Sequence, residues 1–532
     1  MNALLIYPRF PETYWSFKHA LSFLGKRAAQ PPLGLMTVAA LLPGWWPKRL
    51  VDENVERLRD RDLRWADVAL ISAMHIQKDA LFAILARCRA LGLRTVVGGP
   101  IASSLSAAEI NADHVVIGEA ESLIAALAHD LEQDAGHDAN QGAAQPVYQA
   151  AERPAMETSP LPDISLINMK RYSTMAVQYS RGCPFNCEFC DIIEIYGRRP
   201  RTKAVAQVIA ELDQLRAAGW RESVFIVDDN FIGNKARAKE LCAALAEWRS
   251  QHKTSFGFIT EASLNLADDR ELMQLMKEAG FQSVFLGIET PDASGLIAAN
   301  KLQNTRRSLL ESVATIQSYG MQVMGGFILG FDTDREDIFE RMTEFIQKSG
   351  IPIAMVGLLQ AMPGTQLFRR LWREGRILHA GAGNNTSISL NFLPRMDATK
   401  LVEGYRSVLK QIYSSDAYYQ RVKVYLRTIQ TAPREKRVEK HLKQRWMTRS
   451  NMRALVTSIV RQGVFSRHSW SYWKFLAAAA TRYRRSFGTA MTLAVMGYHF
   501  QVMTRKLSKF KMPELPTAGN EADASAETGE RG

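Results

Sequence analysis

Three cysteines, Cys183, Cys187 and Cys190, stand in the run Arg-Gly-Cys-Pro-Phe-Asn-Cys-Glu-Phe-Cys, with the spacing C-x3-C-x2-C. A strand-like run, 174–180, leads directly into them, and amphipathic helical and strand-like stretches then alternate. The cysteines therefore fall at the carboxyl end of the first strand of a βα series, where such folds carry their chemistry. A cubane iron–sulfur cluster normally takes four thiolates, one on each iron. Three clustered cysteines would leave one iron open to a substrate or cofactor, which makes a site for chemistry rather than electron storage.

Other uses of cysteine fit less well. A structural zinc site needs four ligands in paired spacing, and the chain has no second C-x-x-C and no close Cys/His pair. Five cysteines in 532 residues make no disulfide framework. Cys88 and Cys242 lie in helix-like runs and are expected to be small buried apolar residues.

The series after the motif has six strand-like runs: 174–180, 223–228, 255–260, 283–288, 322–329 and 353–359. Helical periodicity fills the gaps, at 205–218, 235–250, 268–279 and 306–319. Polar groups cluster where these strands end: Asp228, Asp229 and Asn230; Thr260, Glu261 and Ser263; Glu289 and Thr290; and Gln360. Carboxylates and amides there could accept hydrogen bonds from amino and hydroxyl groups of a ligand, or could simply be solvated caps.

Residues 1–135 also alternate, with strand-like runs at 3–7, 49–52, 68–73, 95–99 and 114–118 and helical stretches at 33–42 and 79–91. Such alternation predicts a parallel sheet with helices on both faces, whose ligands bind beyond the strands' carboxyl ends. Three turns belong near those ends: Pro31-Pro32-Leu33-Gly34-Leu35, Gly98-Gly99-Pro100 and Gly118-Glu119-Ala120-Glu121. Residues 136–170, rich in Ala, Gln, Asp and Pro, read as a linker.

Charge is distributed unevenly. Residues 1–400 are nearly balanced, whereas 401–511 carry 23 Lys and Arg against 4 Asp and Glu, a net of +19. That segment is helical in spacing, lacks cysteine, and interleaves Trp446, Trp470, Trp473, Phe475, Tyr483, Phe487, Tyr498 and Phe500 with its basic residues. An anionic membrane surface attracts such a segment, with aromatics settling at the interface. Nucleic acid would attract the charge equally, but alanine runs and aromatic-rich helices suit an interface better, so nucleic acid is not the expected partner. A solvated helical cap is the plainer alternative. The acidic, Ala/Gly/Glu-rich residues 512–532 read as a disordered tail. No run reaches the roughly 18 apolar residues that a spanning helix requires. The N-terminal Met-Asn-Ala-Leu-Leu-Ile-Tyr-Pro, a short strand without a basic flank, is not expected to be a signal peptide.

The cysteine motif, with Phe189 before its last cysteine, resembles the signature of the radical S-adenosylmethionine superfamily. The order of the two α/β segments and the three N-terminal turns resemble its cobalamin-binding branch. The Pro363-Gly364-Thr365 turn resembles one common after the last barrel strand of that branch, and residues 191–203, Asn384-Asn385-Thr386 and the tyrosine-rich run 413–419 resemble the subgroup that includes the hopanoid methylases. The resemblance implies an α/β chain in five parts. These are a Rossmann-like cobalamin-binding domain (1–135), a linker (136–170), a partial (β/α)6 barrel (171–375), a basic, mostly helical region (376–511) and the tail (512–532).

The same resemblance implies three cofactors: a [4Fe-4S] cluster on Cys183, Cys187 and Cys190, S-adenosylmethionine on its open iron, and cobalamin. S-Adenosylmethionine would meet Asp228, Asn230, Glu261 and Glu289, with Gly325, Gly326 and Gly330 admitting the adenine. Pro32, Gly34, Ser72, Gly98, Gly99, Gly118 and Glu119 would line cobalamin. The D-x-H-x-x-G motif that supplies a histidine to cobalt elsewhere is absent, since Asp113-His114 has the wrong spacing. His75 is the nearest candidate below the metal, against a plain loop histidine.

The implied activity is C-methylation of an unactivated carbon, with a lipid or other small molecule as substrate and an external one-electron reductant. A cobalamin-dependent cyclase or rearrangement enzyme and a non-catalytic cobalamin sensor are the alternatives. A methylthiotransferase is disfavoured, because the N-terminal part lacks a second three-cysteine site. The expected location is the cytoplasm, with peripheral contact to the inner membrane face.

Overall fold

The first five strands are short apolar runs buried on both faces, as parallel strands between two helical layers should be. They are β1 (Ala3–Tyr7), β2 (Lys48–Asp52), β3 (Val68–Ser72), β4 (Arg94–Gly98) and β5 (His114–Ile117). In the computed structural model, which describes residues 1–133, 147–254, 256–381, 383–384, 388–431, 449–466 and 468–509, they form one parallel sheet. Its order is β2-β1-β3-β4-β5 with β6 (Val147–Gln149) added at the edge. The reversal of order between β1 and β3 is the topological switch point, where doubly wound sheets open a ligand crevice.

The covering helices follow the expected spacing. Lys78–Ala90 buries Leu81, Ile84, Leu85 and Cys88 on one stripe. The β6 strand lies inside the segment expected to be a linker. Three residues at a sheet edge, paired only with β5, have no periodicity of their own; tertiary pairing makes the strand. Residues 136–146 of that segment lie outside the described residues.

The second sheet is also all parallel, in the order β14-β13-β12-β11-β10-β7. Its strands are β7 (Met175–Val177), β10 (Val224–Ile226), β11 (Phe258–Ala262), β12 (Phe281–Glu289), β13 (Gln322–Leu329) and β14 (Ile353–Leu358). No pairing joins β14 to β7 among the described residues, so the array is a partial barrel of six strands. Burial alternates along its strands: Val284, Leu286 and Ile288 are buried in the core shared with the helices, while Phe285 and Gly287 on the other face are half-buried. The half-buried set, continued by Phe225, Val227, Ile259, Met324, Gly326 and Ile328, forms the inner face of the barrel. Helix ends are set locally. Asn234 caps Lys235–His252 by accepting from the Arg237 amide, Asp269 caps Arg270–Ala279 through the Leu272 amide, and Gly280 closes that helix at φ 91°.

The C-terminal region is helical: Ala398–Ile412, Ser415–Thr431, Arg449–Ser458, a π-helical turn Ile459–Val464, Ser469–Thr481 and Phe487–Leu507. It packs on the barrel through Arg421, which is buried and has no carboxylate partner among the described residues. Its guanidinium donates to the carbonyls of Ile351 (2.7 Å) and Ile412 (2.8 Å) and to Gln347 Oε1 (2.6 Å). The N-terminal excursion 10–29 completes this layer. Tyr14 packs against the stacked pair Tyr413 and Phe500, and Trp15 extends to the inner face of the barrel, its ring 4.8 Å from Phe285.

The aromatics of this region divide in a way helical spacing does not reveal. Tyr472, Phe475, Tyr483 and Phe500 are core residues, whereas Phe465, Trp470 and Trp473 are exposed. Trp446, Asn385, Thr386, Ser255 and the tail 512–532 lie outside the described residues. No described helix is long and apolar enough to cross a membrane.

Candidate active site

The cysteine loop is held by a short antiparallel pair, β8 (Ser180–Arg181) with β9 (Arg201–Thr202). Between strand and loop, Gly182 adopts φ 95°, and a Cβ there would lie 2.9 Å from the carbonyl oxygens of Gly197 and Arg199. Only glycine suits this position. The Cys183 amide donates to the Gly197 carbonyl (3.2 Å), the Glu188 amide to the Ala299 carbonyl (3.0 Å), and Glu188 pairs with Arg370 at 2.6 Å. The loop is thus tied to the barrel on several sides.

All three cysteines are free thiols, with Cys187 buried and the other two half-buried. Two amides donate to their sulfurs: Asn230 Nδ2 to Cys183 at 3.6 Å and Gln303 Nε2 to Cys187 at 3.7 Å. Lys301, paired with Glu289 at 2.8 Å, is a buried cation close enough to Cys187 and Cys190 to feel their charge. Burial pushes the Cys183 and Cys190 thiols up, and Asp191 adds to this at Cys190. Thiolates here therefore need cationic partners, which iron and Lys301 would supply. Among the described residues no three side chains converge on a single metal ion, and a cubane asks for none, because each thiolate takes a separate iron. The donor set fits the cluster.

Beside the loop stands a wall of acids. Asp228 is buried and accepts from the Tyr179 amide (2.8 Å) and the Ser180 hydroxyl (2.7 Å). Burial raises its carboxyl to about 6 despite those bonds. Burial and then Asp228 push Asp229 up to about 7, and burial, Asp229 and Asp228 push Glu261 up to about 8. Asp229 Oδ2 is buried without a hydrogen-bond partner, and the Glu261 carboxyl meets none among the described residues. These orphaned acceptors fit a cationic ligand that carries amino and hydroxyl donors.

The other residues singled out in the sequence have partners within the fold. Asn230 Oδ1 accepts from the Ser263 amide (3.2 Å), the Thr260 hydroxyl donates to the Ile226 carbonyl (3.0 Å), and Gln360 Nε2 donates to the Ser389 carbonyl (3.0 Å). Thr290 Oγ1 accepts from the Asp292 amide at 3.2 Å. Glu289, the last residue of β12, holds φ 68°, a strained value for a side chain with a Cβ, beside a register shift in the β12–β13 pairing. Gly326 lies on the inner face, but a Cβ there would meet the Phe285 ring at 2.9 Å. Its lack of a side chain accommodates that ring, a different reason from the close approach of adenine expected from sequence.

At the first sheet, Ser72, Gly98, Gly99, Gly118 and Glu119 lie at the carboxyl ends of β3, β4 and β5, and Pro32 and Gly34 open the helix Leu33–Leu41 on the same side. Gly99, at φ 85°, leaves room for the Ser72 hydroxyl, 2.6 Å from where its Cβ would stand. At Gly34 and Gly118 a Cβ would meet nothing within 4 Å. Met74, just past β3 at the switch point, is 45% exposed. An open, glycine-lined end with an exposed apolar residue fits a large flat cofactor. His75 Nε2 is engaged by the Ser104 hydroxyl.

The two ends meet through charge. Arg181, two residues before Cys183, places Nη1 2.6 Å from Glu119 Oε2 and Nη2 2.8 Å from Glu121 Oε1, and Arg201 also pairs with Glu119. Sequence reading missed Arg181, Lys301, Gln303 and Trp15. Only Arg181, inside the motif itself, left a signal there.

Comparison with known proteins agrees with this geometry. Residues 177–346 match the radical SAM superfamily, and residues 365–511 match a domain of unknown function, DUF4070. An uncharacterized methyltransferase of Synechocystis sp. is 40% identical over 94% of this chain and 91% of its own length. The hopanoid C-2 methylase of Rhodopseudomonas palustris is 34% identical over 95% of this chain and 94% of its own. The chain belongs to the radical S-adenosylmethionine superfamily, in the family of the hopanoid methylases. It is a radical S-adenosylmethionine methyltransferase. The fold agrees. The cobalamin-dependent S-adenosylmethionine radical enzyme OxsB superposes with a TM-score of 0.58 at 14% identity, over 95% of this chain and 79% of its own.

Proposed function

We propose that this methyltransferase acts on an unactivated carbon of an apolar, polycyclic lipid of hopanoid type. The observation that carries the reading is the inner face of the barrel. Phe225, Val227, Ile259, Phe285, Met324 and Ile328 present an apolar, half-buried surface, extended by Trp15. Such a lining favours a rigid hydrocarbon and excludes water from a reactive centre. The relative of Rhodopseudomonas palustris is named for methylating a hopanoid, which supports the same class.

When bound, the cofactors supply hydrogen abstraction and a methyl group, chemistry beyond any side chain. The residues of this chain hold and align them. Cys183, Cys187 and Cys190 hold three irons. Asn230 and Gln303 donate to the sulfurs, and Lys301 offsets their charge. Asp229 and Glu261 accept hydrogen bonds from the amino group or ribose hydroxyls of S-adenosylmethionine, while Asp228 and Glu289 keep the wall in place through Ser180 and Lys301. Pro32, Gly34, Ser72, Gly98, Gly99 and Gly118 receive the corrin, and Glu119 ties that end to the cysteine loop. An external one-electron reductant starts turnover, and the basic segment 401–511 faces an anionic membrane from which substrate comes.

The test is turnover by anaerobically reconstituted protein with hopanoid lipid and S-adenosylmethionine labelled in its methyl group. Label in a C-methylated lipid is expected. Cleavage of S-adenosylmethionine without labelled lipid, together with an unchanged lipid profile in cells lacking the gene, would overturn the substrate assignment.

A further inference from the structure

Four side chains, Met452, Val456, Val460 and Val464, recur every fourth residue through Arg449–Ser458 and the π-helical turn, and all four are exposed. Apolar residues at that spacing normally face a core. Here they form a stripe on the outside, with Val456 at 56% and Val464 at 62%. The stripe runs into Phe465, 79% exposed, and then to Trp470, 70% exposed, at the start of the next helix. Trp473 closes the elbow by donating from Nε1 to the Gly463 carbonyl (3.0 Å). The opposite face of the same helices is sealed by Ser458, Tyr472, Phe475 and Ala479. The exposed residues are therefore not the frayed edge of a core; they are a second, outward apolar face.

Charge identifies the occupant. Residues 440–511 contain no aspartate or glutamate at all. Exposed cations flank the stripe and elbow: Arg453, Arg461, Lys474, Arg482, Arg484 and Arg485. The Lys474 ammonium lies over the Trp470 ring, 5.2 Å from its centroid. A continuous apolar ridge whose surrounding cations outnumber its one carboxylate, Asp416 held by the Ser471 hydroxyl at 2.7 Å, matches one surface, an anionic bilayer: aromatics enter the headgroup region and basic residues meet phosphate.

We propose that the elbow formed by residues 452–466 and 468–474 is a docking wedge for anionic lipid bilayers, through which this methyltransferase sits on the membrane without crossing it. The inference rests on the reading of the basic segment as membrane-facing, and names the part that inserts. It does not depend on which lipid is methylated.

The full chain is incubated with vesicles of phosphatidylcholine alone or with about one-third phosphatidylglycerol, and bound protein is recovered by flotation. Each basic residue near an anionic surface multiplies partitioning roughly fivefold, so binding is expected with the anionic vesicles and lost in high salt. The double variant Phe465→Ser/Trp470→Ser should lose at least tenfold in binding while retaining wild-type circular dichroism and cluster absorbance. Equal binding of variant and wild type, or equal binding to both vesicle types, overturns the proposal. So does a wild-type dimer that the variant dissolves without any vesicle binding, since the face then belongs to a second copy. Removal of the acidic residues 512–532 should leave binding the same or stronger; loss of binding would overturn it. Turnover with detergent-dispersed lipid is read separately. A variant that fails flotation but still labels lipid separates the wedge from the substrate assignment, and wild type that floats without labelling lipid overturns the latter alone.

Discussion

Arg181 places its guanidinium between Glu119 and Glu121, at 2.6 and 2.8 Å, joining the carboxyl end of the first sheet to the strand that feeds Cys183. All three side chains are nearly sealed from solvent, with Arg181 12% and both glutamates 3% exposed. Burial pushes the Glu121 carboxyl up, but Arg181 outweighs it and holds the group below its ordinary range. The bridge sets the distance between the carboxyl end of the first sheet and the cysteine loop.

Breaking a buried pair by removing one partner costs about 3–5 kcal/mol. Arg181→Gln is expected to destabilise the protein by that order in urea denaturation. In the protein that remains folded, cobalamin retention on gel filtration should fall and S-adenosylmethionine cleavage should uncouple from methyl transfer. Coupled turnover equal to wild type would show that the bridge does not align the two ends.

Hydrogen bonds to cluster sulfurs help set reduction potential. Gln303→Leu removes the donor to Cys187 while keeping a side chain of similar size. Its reconstituted cluster should show a more negative midpoint in an anaerobic redox titration followed by electron paramagnetic resonance, with iron content unchanged. An identical midpoint would mean that the 3.7 Å contact carries no electronic effect.

The acid wall makes a pH prediction whose sign differs with and without ligand. Asp228, Asp229 and Glu261, raised to about 6, 7 and 8, keep protons that an unfolded chain releases near pH 4 to 4.5. Folding stability without S-adenosylmethionine should therefore fall as pH rises from about 5 to about 8. A cationic ligand favours the ionised wall, so its affinity should rise over the same interval. Calorimetric titration of cluster-loaded protein checks this, and Glu261→Gln should flatten the upper part of the rise.

Gly497, in the last helix, lets Tyr418 lie against the backbone; a Cβ there would stand 2.3 Å from the tyrosine ring, whose hydroxyl donates to the Leu493 carbonyl at 2.6 Å. Gly497→Ala should overpack this joint and cost about 1–3 kcal/mol. Near-ultraviolet circular dichroism during urea denaturation would register it as an earlier transition.

The two parallel sheets were legible because their strands are apolar on both faces and regularly separated by amphipathic helices, so local pattern and fold agree. The cysteine loop was legible because a cluster's ligands lie within eight residues of one another. The β6 edge strand was not, since pairing with β5 alone makes it a strand. Nor does spacing show that Gly326 lies against the Phe285 ring, 2.9 Å from where a Cβ would stand.

Local spacing was enough to establish that this chain builds two βα arrays, holds three thiolates at a strand end and carries a basic helical region. It could not say which of that region's aromatics face inward: Phe475 packs 4.5 Å from Tyr419, while Trp470, five residues earlier, faces solvent. Nor could it place Trp15 against Phe285, or Glu119 against Arg181, because those partners are 270 and 62 residues apart. Periodicity reports only how neighbours along the chain share a face. Which distant surface covers that face, and which is left for solvent or membrane, follows from packing the whole chain.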